Sequence, residues 1–73
     1  MKICKNKQSG KAFVYLDEED DGRAFMVTPL GDVKPLEKTL FTEPFGVENE
    51  KKLLTQGHIT TEQYVIHVGY NRG

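Results

Sequence analysis

The segment from Lys11 to Pro29 constrains this chain most: Lys-Ala-Phe-Val-Tyr-Leu, an acidic run from Asp17 to Asp21 followed by Gly22, then Arg-Ala-Phe-Met-Val-Thr-Pro. β-Branched and aromatic residues on either side of Asp-Asp-Gly read as two strands joined by a tight turn, in which Gly takes positive φ without a side-chain clash. Successive strand side chains point to opposite faces, so Phe13 and Tyr15 look one way while Ala12, Val14 and Leu16 look the other. One face of a hairpin that is apolar on both sides can line the protein's own core. The other requires a helix, a partner chain or a ligand.

A chain of 73 residues reads as a single small globular domain, residues 1–73, burying about 60% of the surface its unfolded chain exposes. That leaves little room for a large enclosed active site. Hydrophobic residues at 37% and charged residues at 29% set it apart from disordered chains, which are too poor in apolar groups to form a core. The net charge of −1 and pI near 6.1 lack the basic excess of a typical nucleic-acid-binding domain. Charge is nonetheless uneven. Lys2, Lys5, Lys7 and Lys11 lie in a segment without an acid, whereas Asp17 to Asp21 are all acidic. The plain reading is a solvated start and a solvated loop tip; clustered lysines also suit phosphate or an acidic partner.

A single cysteine, Cys4, cannot form an intramolecular disulfide, and no CxxC or Cys/His ligand spacing occurs, so a reducing compartment is expected. The first residues lack the apolar run of a secretory signal, and there is no long apolar stretch for a membrane span. The expected location is cytoplasmic.

Along the chain, the segment before Lys11 offers Ile3 and Cys4 as core candidates and reads as a short edge strand or a frayed start. Arg23 to Thr28 returns from the acidic turn and is stopped by Pro29 and Gly31-Asp32. Asp32 to Phe41 is a weaker third strand, placed at an edge because Pro35 interrupts the ladder. Glu43-Pro44-Phe45-Gly46 reads as a connector. Val47 to Gln56 has helix-forming composition, with Val47 and Leu54 on one face and Gly57 as the stop. Thr60 with Gln63 three residues on is a capping-box pattern, which predicts a second helix from Thr61 to about Tyr70. Tyr64, Ile66, Val68 and Tyr70 also alternate as a strand would. The cap signal and the short Gly57-His58-Ile59 link favour the helix, with Tyr64, Val65 and Val68 on one face.

The pattern Leu53-Leu54-x-x-Gly57-x-Ile59-Thr60-x-Glu62-Gln63-Tyr64 is similar to the helix-turn-helix pairs of short bacterial oligomerisation and targeting modules of the SHOCT type. The likeness spans about a dozen residues, largely restates a helix stop followed by a helix start, and does not assign a family.

Candidate sites are few. Asp17, Glu19, Asp21 and Gly22 match the first ligand positions of an EF-hand loop, but Thr28 stands where that loop needs a bidentate Glu, and the flanks read as strands. The better reading is a charged hairpin tip that discourages edge-to-edge pairing. His58, beside Gly57, reads as a polar cap residue and His67 as a partly exposed surface residue. Cys4 between lysines is weak as a nucleophile. No phosphate-cradling glycine motif is present. Lys11, Phe13 and Tyr15, with Arg23 and Phe25 on the returning strand, would alternate basic and aromatic groups if the register brought them to one side. Such a surface would suit stacked bases and phosphates, or be core or interface.

The expected fold is therefore α+β: a small antiparallel sheet of about three strands, alone or within a small open barrel, followed by one or two C-terminal helices. Core candidates are Val14, Leu16, Met26, Leu36, Leu40, Phe41, Leu54, Ile59 and Val65. The function expected is a non-enzymatic protein-interaction or self-association module using Lys11, Phe13, Tyr15, Arg23 and Phe25, with a protein partner or a second copy. Single-stranded nucleic-acid binding is the alternative. No catalytic residue, metal or cofactor and no membrane partner is implied.

Overall fold

The computed structural model describes residues 1–19 and 21–72. Strands Lys2–Lys5 (β1), Ala12–Glu18 (β2), Arg23–Val27 (β3), Val33–Glu37 (β4) and Phe45–Gly46 (β5) form an antiparallel sheet ordered β4-β3-β2-β1-β5. A 3-10 turn at Lys38–Leu40 follows β4, and helices Glu50–Thr55 (α1) and Thr61–Arg72 (α2) follow β5. The class is the expected α+β. The sheet has five strands where the sequence pattern suggested about three, and it ends at β4 and β5 without closing into a barrel.

Both additional strands come from segments with weak strand character. β1 is an inner strand between β2 and β5, with Ile3 and Cys4 buried, and not an edge or a fray. β5 occupies the stretch that reads as a connector; Phe45 pairs with Ile3 and Gly46 with Lys2. β4 is an edge, as Pro35 requires.

Alternation sorts the sheet into two apolar layers. Ile3, Val14 and Val27 form one row across β1, β2 and β3, and Ile59 completes this cluster, with Leu53, Leu54, Tyr64 and Ile66 from the helical side packed on it. On the opposite face lie Cys4, Ala24 and Met26, with Phe13, Tyr15 and Leu36 beside them. Here the chain covers itself. After β4 it passes through the 3-10 turn, buries Phe41 on this face and pairs it with Asn6. Phe13 and Phe41 meet edge to face at 4.9 Å, a favoured aromatic geometry. The second hairpin face thus has cover from within the chain.

Two core candidates lie elsewhere. Leu40 is 57% exposed and Val65 is 58% exposed. The face of α2 turned to the sheet carries buried Gln63 and His67 instead of Val65. His67 is correspondingly a buried residue, not the surface residue its sequence context suggests.

Both helix boundaries are chemically specified. α1 is shorter than Val47–Gln56: Asn49 caps it through a hydrogen bond from the Lys52 amide, and Val47 packs on the core ahead of it. Gly57, at φ +79°, ends it. The Gly57 amide donates to Leu54 and the His58 amide to Leu53, the two bonds of a Schellman stop. At α2, the Gln63 amide donates to Thr60 Oγ1 and the Thr60 amide donates to Gln63 Oε1, which is the capping box. The Thr60 hydroxyl also donates to the Pro29 carbonyl. Close by, Gly31 sits at φ +88°, where an added Cβ would lie 2.8 Å from Glu62 Cβ. The β3–β4 turn and the start of α2 therefore approach each other closely.

Candidate interaction surface

The five residues of the expected interaction surface do not share a face. A bulge after Tyr15 shifts the β2–β3 register, so that Tyr15 pairs with Met26 but Asp17 pairs with Phe25. Phe13 and Tyr15 lie on the Phe41 side. Arg23 and Phe25 alternate with the buried Ala24 and Met26, and so project to the opposite side. Lys11 is exposed at the start of β2. Arg23 forms an ion pair with Asp21 at 3.0 Å.

The acidic tip is engaged with its own neighbours. Glu18 accepts a hydrogen bond from Lys38, which holds its carboxyl below the ordinary range. Asp17 Oδ1 accepts from the Glu18 amide and Asp21 Oδ1 from the Arg23 amide. The four residues of the calcium reading, Asp17, Glu19, Asp21 and Gly22, all lie among the described residues. Among the described residues, no three His, Cys, Asp or Glu side chains converge as metal ligands.

Cys4 is fully buried, with Sγ 3.6 Å from Met26 Sδ, and burial pushes its thiol up to about 11. A thiol so rarely ionised is an inert packing group.

His67 sits where α2 meets α1, with Nδ1 3.9 Å from Glu50 Oε2. Burial holds the imidazole below its ordinary value of 6.5; Glu50 pulls the other way and the Met1 ammonium adds to the lowering. The neutral form is therefore favoured by folding. Its contribution to stability is complete above the unfolded-state value and is lost as pH falls through the lower folded-state value. The melting temperature should fall between pH 7 and pH 5, and His67→Gln should flatten that slope when followed by circular dichroism. An unchanged slope in the variant would assign the pH dependence to other groups.

A groove lies at the end of the sheet opposite the acidic tip. Its cavity volume is about 470 Å³. Ile3 and Ala12 form part of the floor, and the α1–α2 turn with Ile59 forms one wall. Phe45 of β5, 46% exposed, stands at its side. Lys5, Lys11 and His58 are the ionisable residues that line it. The His58 backbone, not its side chain, closes the α1 stop, and this leaves the exposed imidazole on the groove wall.

The turn between β1 and β2 fixes the two lysines. Asn6 Oδ1 accepts hydrogen bonds from the Gln8 and Ser9 amides, and the Gly10 amide donates to the Asn6 carbonyl. Lys5 pairs with Ala12 across the ladder, so Lys5 and Lys11 stand at the same end. The sequence signal for this site was the acid-free lysine cluster. Phe45 and Ile59 carried none, because they join the lysines only through β5 pairing and the helix turn.

No family model, curated protein or solved structure matches this chain. No helix among the described residues is long and apolar enough to cross a membrane.

Proposed function

We propose that this protein is a small non-enzymatic protein-interaction module and that a partner chain docks in the groove beside Phe45. The observation that carries this reading is an apolar floor bordered by a half-exposed aromatic ring and by side chains of one charge sign. Binding sites commonly combine an apolar base with a few polar groups that orient the ligand. Catalysis would need a nucleophile or a poised acid–base pair, and the one cysteine is buried and inert. The nucleic-acid alternative loses its main support, because its aromatic residues are divided between two sheet faces.

The test is selection of a random peptide library on the immobilised protein, followed by screening on Phe45→Ser. Peptides should enrich, and Phe45→Ser should weaken them about tenfold or more, as truncation of an aromatic anchor does. Light scattering at two concentrations gives the oligomeric state in parallel. A concentration-dependent mass that Phe45→Ser abolishes would make a second copy the occupant. A monomer that enriches no peptide would end the proposal.

A further inference from the structure

We infer that the partner segment taken by the groove is an extended acidic stretch of protein carrying an aliphatic or aromatic anchor; this rests on the docking reading above. Charge comes first. The ionisable lining is Lys5, Lys11 and His58, with no carboxylate among the lining residues. Neither lysine has an ion-pair partner among the described residues, whereas Lys38 is held by Glu18 and Arg23 by Asp21. Cations left unpaired around a concave surface raise the local concentration of an anionic ligand and orient it on approach.

The backbone contributes in the same sense. α2 begins at this wall, with Thr60 and Gln63 lining the groove, and the first turn of a helix carries a partial positive charge. It reinforces the lysines.

Shape selects an extended segment. β5 is the last strand of the sheet and is bonded to β1 on one side only, so the outer edge of Phe45–Gly46 is open next to the groove. A strand laid along that edge gains main-chain hydrogen bonds while alternate side chains point towards the groove. An apolar side chain would meet Phe45 and Ile59, and acidic side chains two residues to either side of it, on the same strand face, would meet Lys5 and Lys11. The chemistry favours protein over nucleic acid: single-strand binders stack successive bases on several rings, and Phe45 is the one Phe, Tyr or Trp among the residues lining this groove, with His58 the one other ring.

The experiment is fluorescence anisotropy with labelled peptides of about a dozen residues, long enough to span an added strand. One is rich in Asp and Glu with Leu and Phe anchors; a second has Asn and Gln at the acidic positions; a mixed-sequence single-stranded oligonucleotide is the third probe. Each is titrated at low and high salt against wild type, the double variant Lys5→Glu/Lys11→Glu, and Phe45→Ser, with circular dichroism confirming the fold. The acidic peptide should bind at least tenfold more tightly than the neutral one, weaken with salt, and lose about tenfold or more in the charge-reversed variant, as expected of electrostatically complementary contacts. Equal binding of both peptides, lost only in Phe45→Ser, would overturn the acidic assignment and leave the docking reading intact. Tighter binding of the oligonucleotide than of either peptide would make the ligand a nucleic acid and overturn both. Binding by none of the probes would overturn the acidic assignment, and the library selection would then decide the docking reading alone.

Discussion

Gln63→Leu should cost about 3 kcal/mol of stability, although it replaces a polar residue in the interior with an apolar one of similar size. Gln63 is 1% exposed, and its bonds are all made within the protein. Its Nε2 donates to the Ala12 carbonyl at 2.9 Å and the Val27 carbonyl at 3.1 Å, while its Oε1 accepts from the Thr60 amide at 2.8 Å. A single side chain thus ties the start of α2 to β2 and to β3. Leucine leaves one donor and two acceptors without these partners. Each buried polar group left unpaired costs roughly 1–3 kcal/mol, offset in part by the added apolar burial, while the Thr60 Oγ1 cap on the residue 63 amide is kept. A domain of this length is expected to hold only about 4–11 kcal/mol in total, so a substantial share of the margin is at stake.

Gln63→Glu sharpens the test, because it keeps the shape and the cap acceptor but turns a carboxylate oxygen towards two carbonyls. It should destabilise more than leucine at neutral pH and recover partly in acid, where a protonated carboxyl can donate again. Urea unfolding reads both effects as a lower midpoint at unchanged slope. A Gln63→Leu protein with a wild-type midpoint would mean that the three bonds contribute nothing net.

Gln63 also explains why α2 is ambiguous from sequence. Its sheet-facing positions carry Gln63 and His67 while Val65 points to solvent, so the apolar period that normally announces an amphipathic helix is weak. The capping box was the stronger signal because it is local chemistry: Thr60 and Gln63 satisfy one another wherever the helix docks. The Gly57 stop, the hairpin and the Pro35 edge were legible for the same reason. Each depends on a few neighbouring residues.

The parts that could not be read depend on contacts between residues far apart in sequence. β1 becomes an inner strand only because Phe45 and Gly46 return to it across the sheet. The separation of Phe25 from Phe13 and Tyr15 follows from the register that sets Tyr15 opposite Met26 and not from the identity of any one of these residues. The groove follows the same rule. Its lysines were visible as a cluster, but its floor and its aromatic edge are assembled from β1, β5 and the α1–α2 turn.

Phe41→Ala should cost about 3–5 kcal/mol, the range for removing a buried aromatic ring, and should open the second hairpin face. Phe41 is 5% exposed and belongs to the cluster with Cys4, Ala24 and Met26. Its edge-to-face contact with Phe13 adds about 0.5–1.5 kcal/mol beyond the area it buries. Its neighbour Leu40, 57% exposed, provides the control: Leu40→Ala should change stability by less than about 0.5 kcal/mol. The contrast isolates one side chain as the anchor of the segment that crosses from β4 to β5.

Cys4 reports the opening directly. In the wild type its thiol is fully buried and burial raises it to about 11, so at pH 8 only about one native molecule in a thousand carries a thiolate, and opening the site lifts that suppression. A disulfide reagent should therefore react slowly with the native protein and rapidly once urea unfolds it. In Phe41→Ala the reaction should accelerate well below the unfolding midpoint, because removing the ring exposes Cys4 before the sheet is lost. Phe41→Leu, which retains most of the apolar volume, should fall between the two and serves where the alanine variant is too unstable to purify. If Phe41→Ala kept both the wild-type midpoint and the slow thiol reaction, the crossing segment would not be what closes this face, and the second apolar side of the hairpin would again require a partner outside the chain.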